Sequence, residues 1–255
     1  MISTNKNAST LLKIVVIAGL AASVSTGVAR GEVMSEQKIK ELALKAILEH
    51  PQIVLDAVEL IKKEQRARQQ DEFEKQSALD LAKKMEGDPN APSEGAAGAN
   101  VTVIQFFDYN CSICRKVEPN LEALLQADPK IRIVYREWPI FGPGSIFAAR
   151  ASLASQKQGQ YGKFHRMLMA INSPVDETSV IQVAREIGLD VDKLREDMNS
   201  AAIDEHINNS GSIANLMGFA GTPSFVIGGQ PFSGGPDMVT LRGMVTKART
   251  GAVSK

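Results

Sequence analysis

The sequence predicts an α/β domain preceded by a separate α-helical segment, and three observations carry that prediction. Two short apolar runs, Val101-Val103-Ile104-Phe106-Phe107 and Ser224-Phe225-Val226-Ile227, have the length and composition of buried strands. Around them the apolar residues fall at helical spacing, so strands and helices are interleaved. Ahead of them, residues 35–85 show apolar stripes at i, i+3, i+4 and no strand-like stretch. The chain of 255 residues, 44% apolar, is long enough for one large domain or two modest ones. Its 29 basic and 29 acidic residues cancel, which gives no basis for a nucleic-acid partner.

Taken in order, residues 1–29 read as a signal peptide. Lys6 and Lys13 lie in a polar, positive start, Ile14 to Val24 is apolar, and Gly27-Val28-Ala29 fits a small-x-small cleavage site. That apolar run is well short of the roughly 20 residues of a membrane-spanning helix. Residues 30–86 then read as helix. Ile39, Leu42, Ala43, Ala46 and Ile47 line one face, Pro51 starts a second helix, and Ile53, Val54, Ala57, Val58 and Ile61 repeat the stripe. Two amphipathic helices cannot close a core alone, so the stripe needs either the chain's own domain or another copy. The polar stretch Lys62–Glu72 and the turn-rich residues 87–99, read as a flexible linker, favour self-association.

Residues 100–255 form the second domain. After the first strand, Arg115–Gln126 reads as helix, Ile131–Arg136 as strand and 145–218 as a group of helices. The strand at Ser224 is bounded by Thr222-Pro223 and Gly228-Gly229. A last helix starts near Pro236 or Asp237, where Asp237 suits a positive helix end.

Only two cysteines are present, Cys111 and Cys114, too few and too close for a disulfide scaffold. At a strand-to-helix junction the first sulfur meets free N–H groups and the helix dipole, which favour a thiolate. Cys114, three residues on, lies one turn deeper and within reach of a disulfide formed by Cys111. Structural zinc needs about four ligands and no second Cys or His pair exists, since His50, His165 and His206 are isolated in sequence. Two thiolates remain chemically suited to soft Cu(I).

Phe106-Phe107-Asp108-Tyr109-Asn110-Cys111-Ser112-Ile113-Cys114, followed downstream by Gly221-Thr222-Pro223-Ser224-Phe225-Val226, resembles the DsbA-like branch of the thioredoxin superfamily. The resemblance runs from about Val101 to the C-terminus, with a helical region inserted between strands. With its N-terminal helices the chain is also similar to the ScsC group, suppressor-of-copper-sensitivity periplasmic proteins whose N-terminal segments oligomerise. The resemblance implies a thioredoxin-like fold, a Cys111 nucleophile, a resolving Cys114, and a cis Pro223 whose neighbour Thr222 lies beside the Cys111 sulfur. Two positions depart from relatives. Ile113 replaces a thiolate-stabilising histidine, and Gln105 stands six residues before Cys111 where relatives often carry a buried acid. Asp108 matches an acid found there in disulfide isomerases, and loop capping is the alternative reading.

The function these features imply is a periplasmic disulfide isomerase or reductase that uses its dithiol and no other cofactor. It would act on misoxidised or unfolded exported proteins, be kept reduced by a membrane-bound DsbD- or ScsB-like thiol reductant, and work as a homo-oligomer, a trimer before a dimer. A DsbA-type dithiol oxidase and a copper-binding or copper-protecting protein, holding Cu(I) on Cys111 and Cys114, are the alternatives.

Overall fold

Residues 35–96 and 98–251 are described by a computed structural model, with the side chains of 73–75 left aside. The predicted signal peptide lies outside the described residues. The chain divides after Lys62 into two units. The first holds α1 (Glu36–Glu49), capped by Ser35 whose side chain accepts from Lys38 N, and the opening turns of α2 (Gln52–Glu86). None of the residues of α1 is buried. Eleven large apolar side chains between Ile39 and Ile61 are at least 40% exposed, Leu48 reaching 73%. They include Leu44, Leu55 and Leu60, which lie outside the predicted stripe.

The second unit is built on β2 (Val101–Phe107), whose side chains alternate between two cores as the two-residue strand period requires. Val103 and Phe107 face one core, Ile104 and Phe106 the other, and all four are buried. Parallel to β2 runs β3 (Ile131–Glu137), joined to it through α3 (Ser112–Ala127), and this crossover helix covers the first core. On the other side of β2, β4 (Ser224–Ile227) pairs antiparallel, followed by β5 (Gln230–Ser233). With β1 (Ser93–Gly95) antiparallel to β3, the sheet order is β1-β3-β2-β4-β5.

The predicted helical insertion comprises α4 (Pro143–Ser155), a 3-10 turn at Gln156–Gln158, α5 (Tyr161–Met169), α6 (Glu177–Glu186), α7 (Val191–Asp197) and α8 (Ala201–Leu216). The chain closes with α9 (Met238–Thr250), for which Asp237 is the N-cap, accepting from Thr240 N at 2.8 Å. None of the described helices is long and apolar enough to cross a membrane.

Two expectations change. Residues 87–99 are not a loose linker. Asp88 pairs with buried Arg136, the Pro92 carbonyl accepts from Tyr135 N at 2.9 Å, and β1 forms an edge of the sheet. Turn-forming residues suit a three-residue edge strand as well as a tether, and only pairing with β3 separates the two. The helical segment also does not end before the second domain. Ala82 and Met85, 2% and 1% exposed, belong to the second core with Ile104, Phe106, Val134 and Phe219. Gly229 (φ +75°) meets the side chain of Leu79 so closely that an added Cβ would collide with it. The boundary therefore falls near residue 62 and not near 99.

Candidate active site

Where β2 ends, Asp108 turns the chain so that Cys111 becomes the N-cap of α3, in extended backbone. Its sulfur accepts from Cys114 N at 3.3 Å, taking the place a serine or aspartate oxygen usually fills. On the opposite side the Thr222 carbonyl lies 3.3 Å from the same sulfur, and the Thr222–Pro223 peptide is cis. Both thiols are free, Cys114 wholly buried and Cys111 3% exposed. The two differ in acidity. The Cys111 thiol is drawn down to about 6, first by the Cys114 side chain and then by Thr222 and the backbone N–H groups of Cys114 and Ile113, against the effect of burial. Burial and the neighbouring Cys111 sulfur push the Cys114 thiol far up. Helix-end donors and a second thiol thus supply what a histidine at position 113 would have.

Asp108 acts as a clamp. One oxygen accepts from Asn110 N at 2.7 Å and the other from Ile140 N and Phe141 N at 2.7 and 2.9 Å. Of its two sequence readings, loop capping is the one this geometry supports. Gln105 is buried in β2 on the face toward α3, and neither atom of its amide finds a partner among the described residues. Ile113 is 48% exposed, and it packs on Gly235, where an added Cβ would come within 2.6 Å of its methyl. Ile140 and Phe141, 42% and 55% exposed, present further apolar surface.

Asn110 and Arg115 make contacts that no sequence signal announces. Asn110 accepts from Val175 N at 2.7 Å and donates to Ser145 Oγ and Val175 O, which ties the nucleophile loop to the helical insertion. Arg115 donates from Nε to the Tyr109 carbonyl at 2.8 Å. These residues, with Phe141, Ser173 and Asp176, line a groove of about 520 Å³ beside the nucleophile loop. Also unforeseen are buried histidine–glutamate contacts, His165 with Glu118 at 3.1 Å and His206 with Glu137 at 2.6 Å. His165 and His206 are thus not isolated in space. Among the described residues no group of three or more His, Cys, Asp or Glu side chains is placed to hold a metal ion.

A low-pKa sulfur at a helix end, a buried partner one turn on and a cis proline opposite form a dithiol-exchange site, and residues 102–245 match the DSBA-like thioredoxin domain. The chain belongs to that family. A thioredoxin-like oxidoreductase from Silicibacter pomeroyi is 46% identical at a TM-score of 0.63, covering 64% of this chain and 94% of its own. Proteus mirabilis ScsC in a compact conformation is 24% identical at a TM-score of 0.62, covering 86% of this chain and 100% of its own, a likeness of fold. Among curated proteins, a Na(+)/H(+) antiporter NhaA 1 from Salinispora arenicola is 30% identical over 159 residues. That stretch is 62% of this chain, and the chain spans only 24% of the antiporter's length. Within that family domain, Cys111 and Cys114 are the pair of groups placed for dithiol exchange.

Proposed function

We propose that this DSBA-like protein is a periplasmic disulfide isomerase or reductase that assembles from several copies through α1 and the start of α2. The observation that carries this reading is the row of uncovered apolar side chains from Ile39 to Ile61. A patch of that size on a soluble chain marks an interaction surface, and a second or third copy supplies a matching one. Several dithiols held around one substrate favour reshuffling over a single exchange. Isomerisation needs Cys111 as free thiolate, so a membrane-bound DsbD- or ScsB-like reductant is the expected partner and misoxidised exported proteins the expected substrates.

One observation favours a dithiol oxidase instead. A thiolate stabilised to a pKa of about 6 lowers the energy of the reduced state and strengthens the protein as an oxidant. Refolding of a scrambled disulfide substrate, run beside oxidation of a reduced one, separates the two. The full chain should reshuffle the scrambled substrate, and a chain beginning at Lys63 should lose most of that activity while retaining simple exchange. Light scattering that finds the full chain monomeric removes the assembly on which the isomerase reading depends.

A further inference from the structure

Resolution at the dithiol leaves one proton without an acceptor. Cys114 must become a thiolate to attack the sulfur of Cys111, yet it is wholly buried and burial disfavours its charged form. Gln105, on the strand face toward α3, has no group that takes up a proton. Asp108 spends its oxygens on three backbone N–H groups.

Glu118 remains. It lies four residues beyond Cys114 on α3, the spacing at which helical side chains are neighbours, and helical side chains lean back over the preceding turn. The residue is 3% exposed, and neither carboxylate oxygen has a hydrogen-bond partner among the described residues. His165 Nε2 lies 3.1 Å from Oε1 but off the line of a hydrogen bond, so the contact holds the carboxylate in place and leaves acceptor capacity on both oxygens. The other ring nitrogen, Nδ1, lies 2.9 Å from the Tyr109 hydroxyl, which fixes the ring. Buried polar groups are normally satisfied, so a carboxylate left in this state one helical turn from a buried thiol calls for a role.

We propose that Glu118 is the base that takes the proton of Cys114 in the resolving step, with His165 as the residue that positions its carboxylate. The Cys114 S–H bond breaks and the proton passes to a Glu118 oxygen. The thiolate then attacks Cys111 Sγ, the Cys111–Cys114 disulfide forms, and the bond from Cys111 to the substrate sulfur breaks. Two electrons move from the dithiol to the substrate, whose thiolate leaves and is protonated by solvent. In the oxidising direction Glu118 returns the proton to Cys114. The titratable groups facing this pair are His165 from α5, Tyr135 from β3, Tyr109 from the loop before α3, and Cys111 and Arg115 near the start of α3. Burial holds both tyrosines well above their ordinary range, so they stay neutral throughout.

The proposal rests on dithiol exchange, and one experiment tests the two apart. The reduced full chain is mixed in a stopped-flow instrument with one equivalent of dithiobis(nitrobenzoate), which releases one coloured thiolate when Cys111 attacks and a second when Cys114 resolves. Absence of the first release in the unaltered protein overturns the exchange reading itself. With exchange intact, Glu118→Gln should slow the second release about 100-fold, the lower end of what a positioned base contributes, and leave the first within about two-fold. Glu118→Asp should recover part of the loss. In the unaltered protein the second release should be nearly flat between about pH 6 and 8, because an internal base replaces hydroxide. A second release in Glu118→Gln within about two-fold of the unaltered protein overturns the proposal. So does a rate in the unaltered protein that climbs about tenfold per pH unit across that window, whatever the fate of the variants.

Discussion

Removing the N-terminal helices at two different points tests where the catalytic fold begins. A chain starting at Lys63 keeps the turns of α2 that carry Leu79, Ala82 and Met85, whereas a chain starting at Gly87 loses them. Met85 and Ala82 are almost fully buried against Ile104, Phe106 and Val134, and Arg132 donates to the Glu86 carbonyl. Losing a buried methionine costs about 2–5 kcal/mol, and the smaller alanine and the arginine contact bring the sum to about 4–7 kcal/mol. Against the ~5–15 kcal/mol that holds a domain together, the shorter chain is marginal or unfolded. The sole tryptophan, Trp138, reports on the region because its ring meets Phe106 edge-on at 6.5 Å. Urea unfolding followed by its fluorescence should give a midpoint lower by about 2 M or more for the chain starting at Gly87. Equal midpoints would refute the placement of α2 in this core.

Alkylation of Cys111 should rise with pH and level off above about 6, while Cys114 stays unlabelled; because its acidity is raised on folding, Cys111 contributes stability above its ordinary range that fades as pH falls through about 6. A Cys114→Ser variant should accumulate mixed disulfides, visible by non-reducing electrophoresis, and failure to trap any substrate argues against Cys111 as attacker. Burial pushes the Glu137 carboxyl up, but the His206 ring and the Tyr161 hydroxyl hold it below its usual range. His206→Gln should therefore cost about 3–5 kcal/mol in urea unfolding at neutral pH, narrowing in acid as Glu137 protonates, and a change below about 1 kcal/mol contradicts the pairing. Cu(I) binding, followed by competition with a colorimetric chelator, should need both thiols and vanish on oxidation, so stoichiometric copper retained by the double Cys→Ala variant would reveal another site.

Three features of the fold are legible because each has a local signature. β2, β3 and β4 are apolar runs, α9 announces itself through Asp237, and Cys111 lies where a strand pattern gives way to a helical one. What escaped depends on partners distant in sequence. β1 is three residues rich in turn formers, and β5 contains Pro231, which is tolerated on a sheet edge but weakens any strand signal. The docking of Met85 cannot be told from further amphipathic helix until Ile104 and Phe106 are seen beneath it. His165 and His206 read as isolated because Glu118 and Glu137 lie far away along the chain. The dithiol was readable from spacing, whereas the acidity of Cys111, set first by the Cys114 side chain and then by Thr222 and the helix-end N–H groups, depends on how closely the fold packs them.

Asp108 has a consequence for how this protein can change. A single carboxylate grips the backbone of Ile140 and Phe141 with one oxygen and the turn leading to Cys111 with the other. The 140–141 rim and the nucleophile loop are therefore one mechanical part, not two. A variant that reshapes the 140–141 rim will shift the nucleophile loop with it. Selection and design alike have to treat the rim and the sulfur as a linked trait.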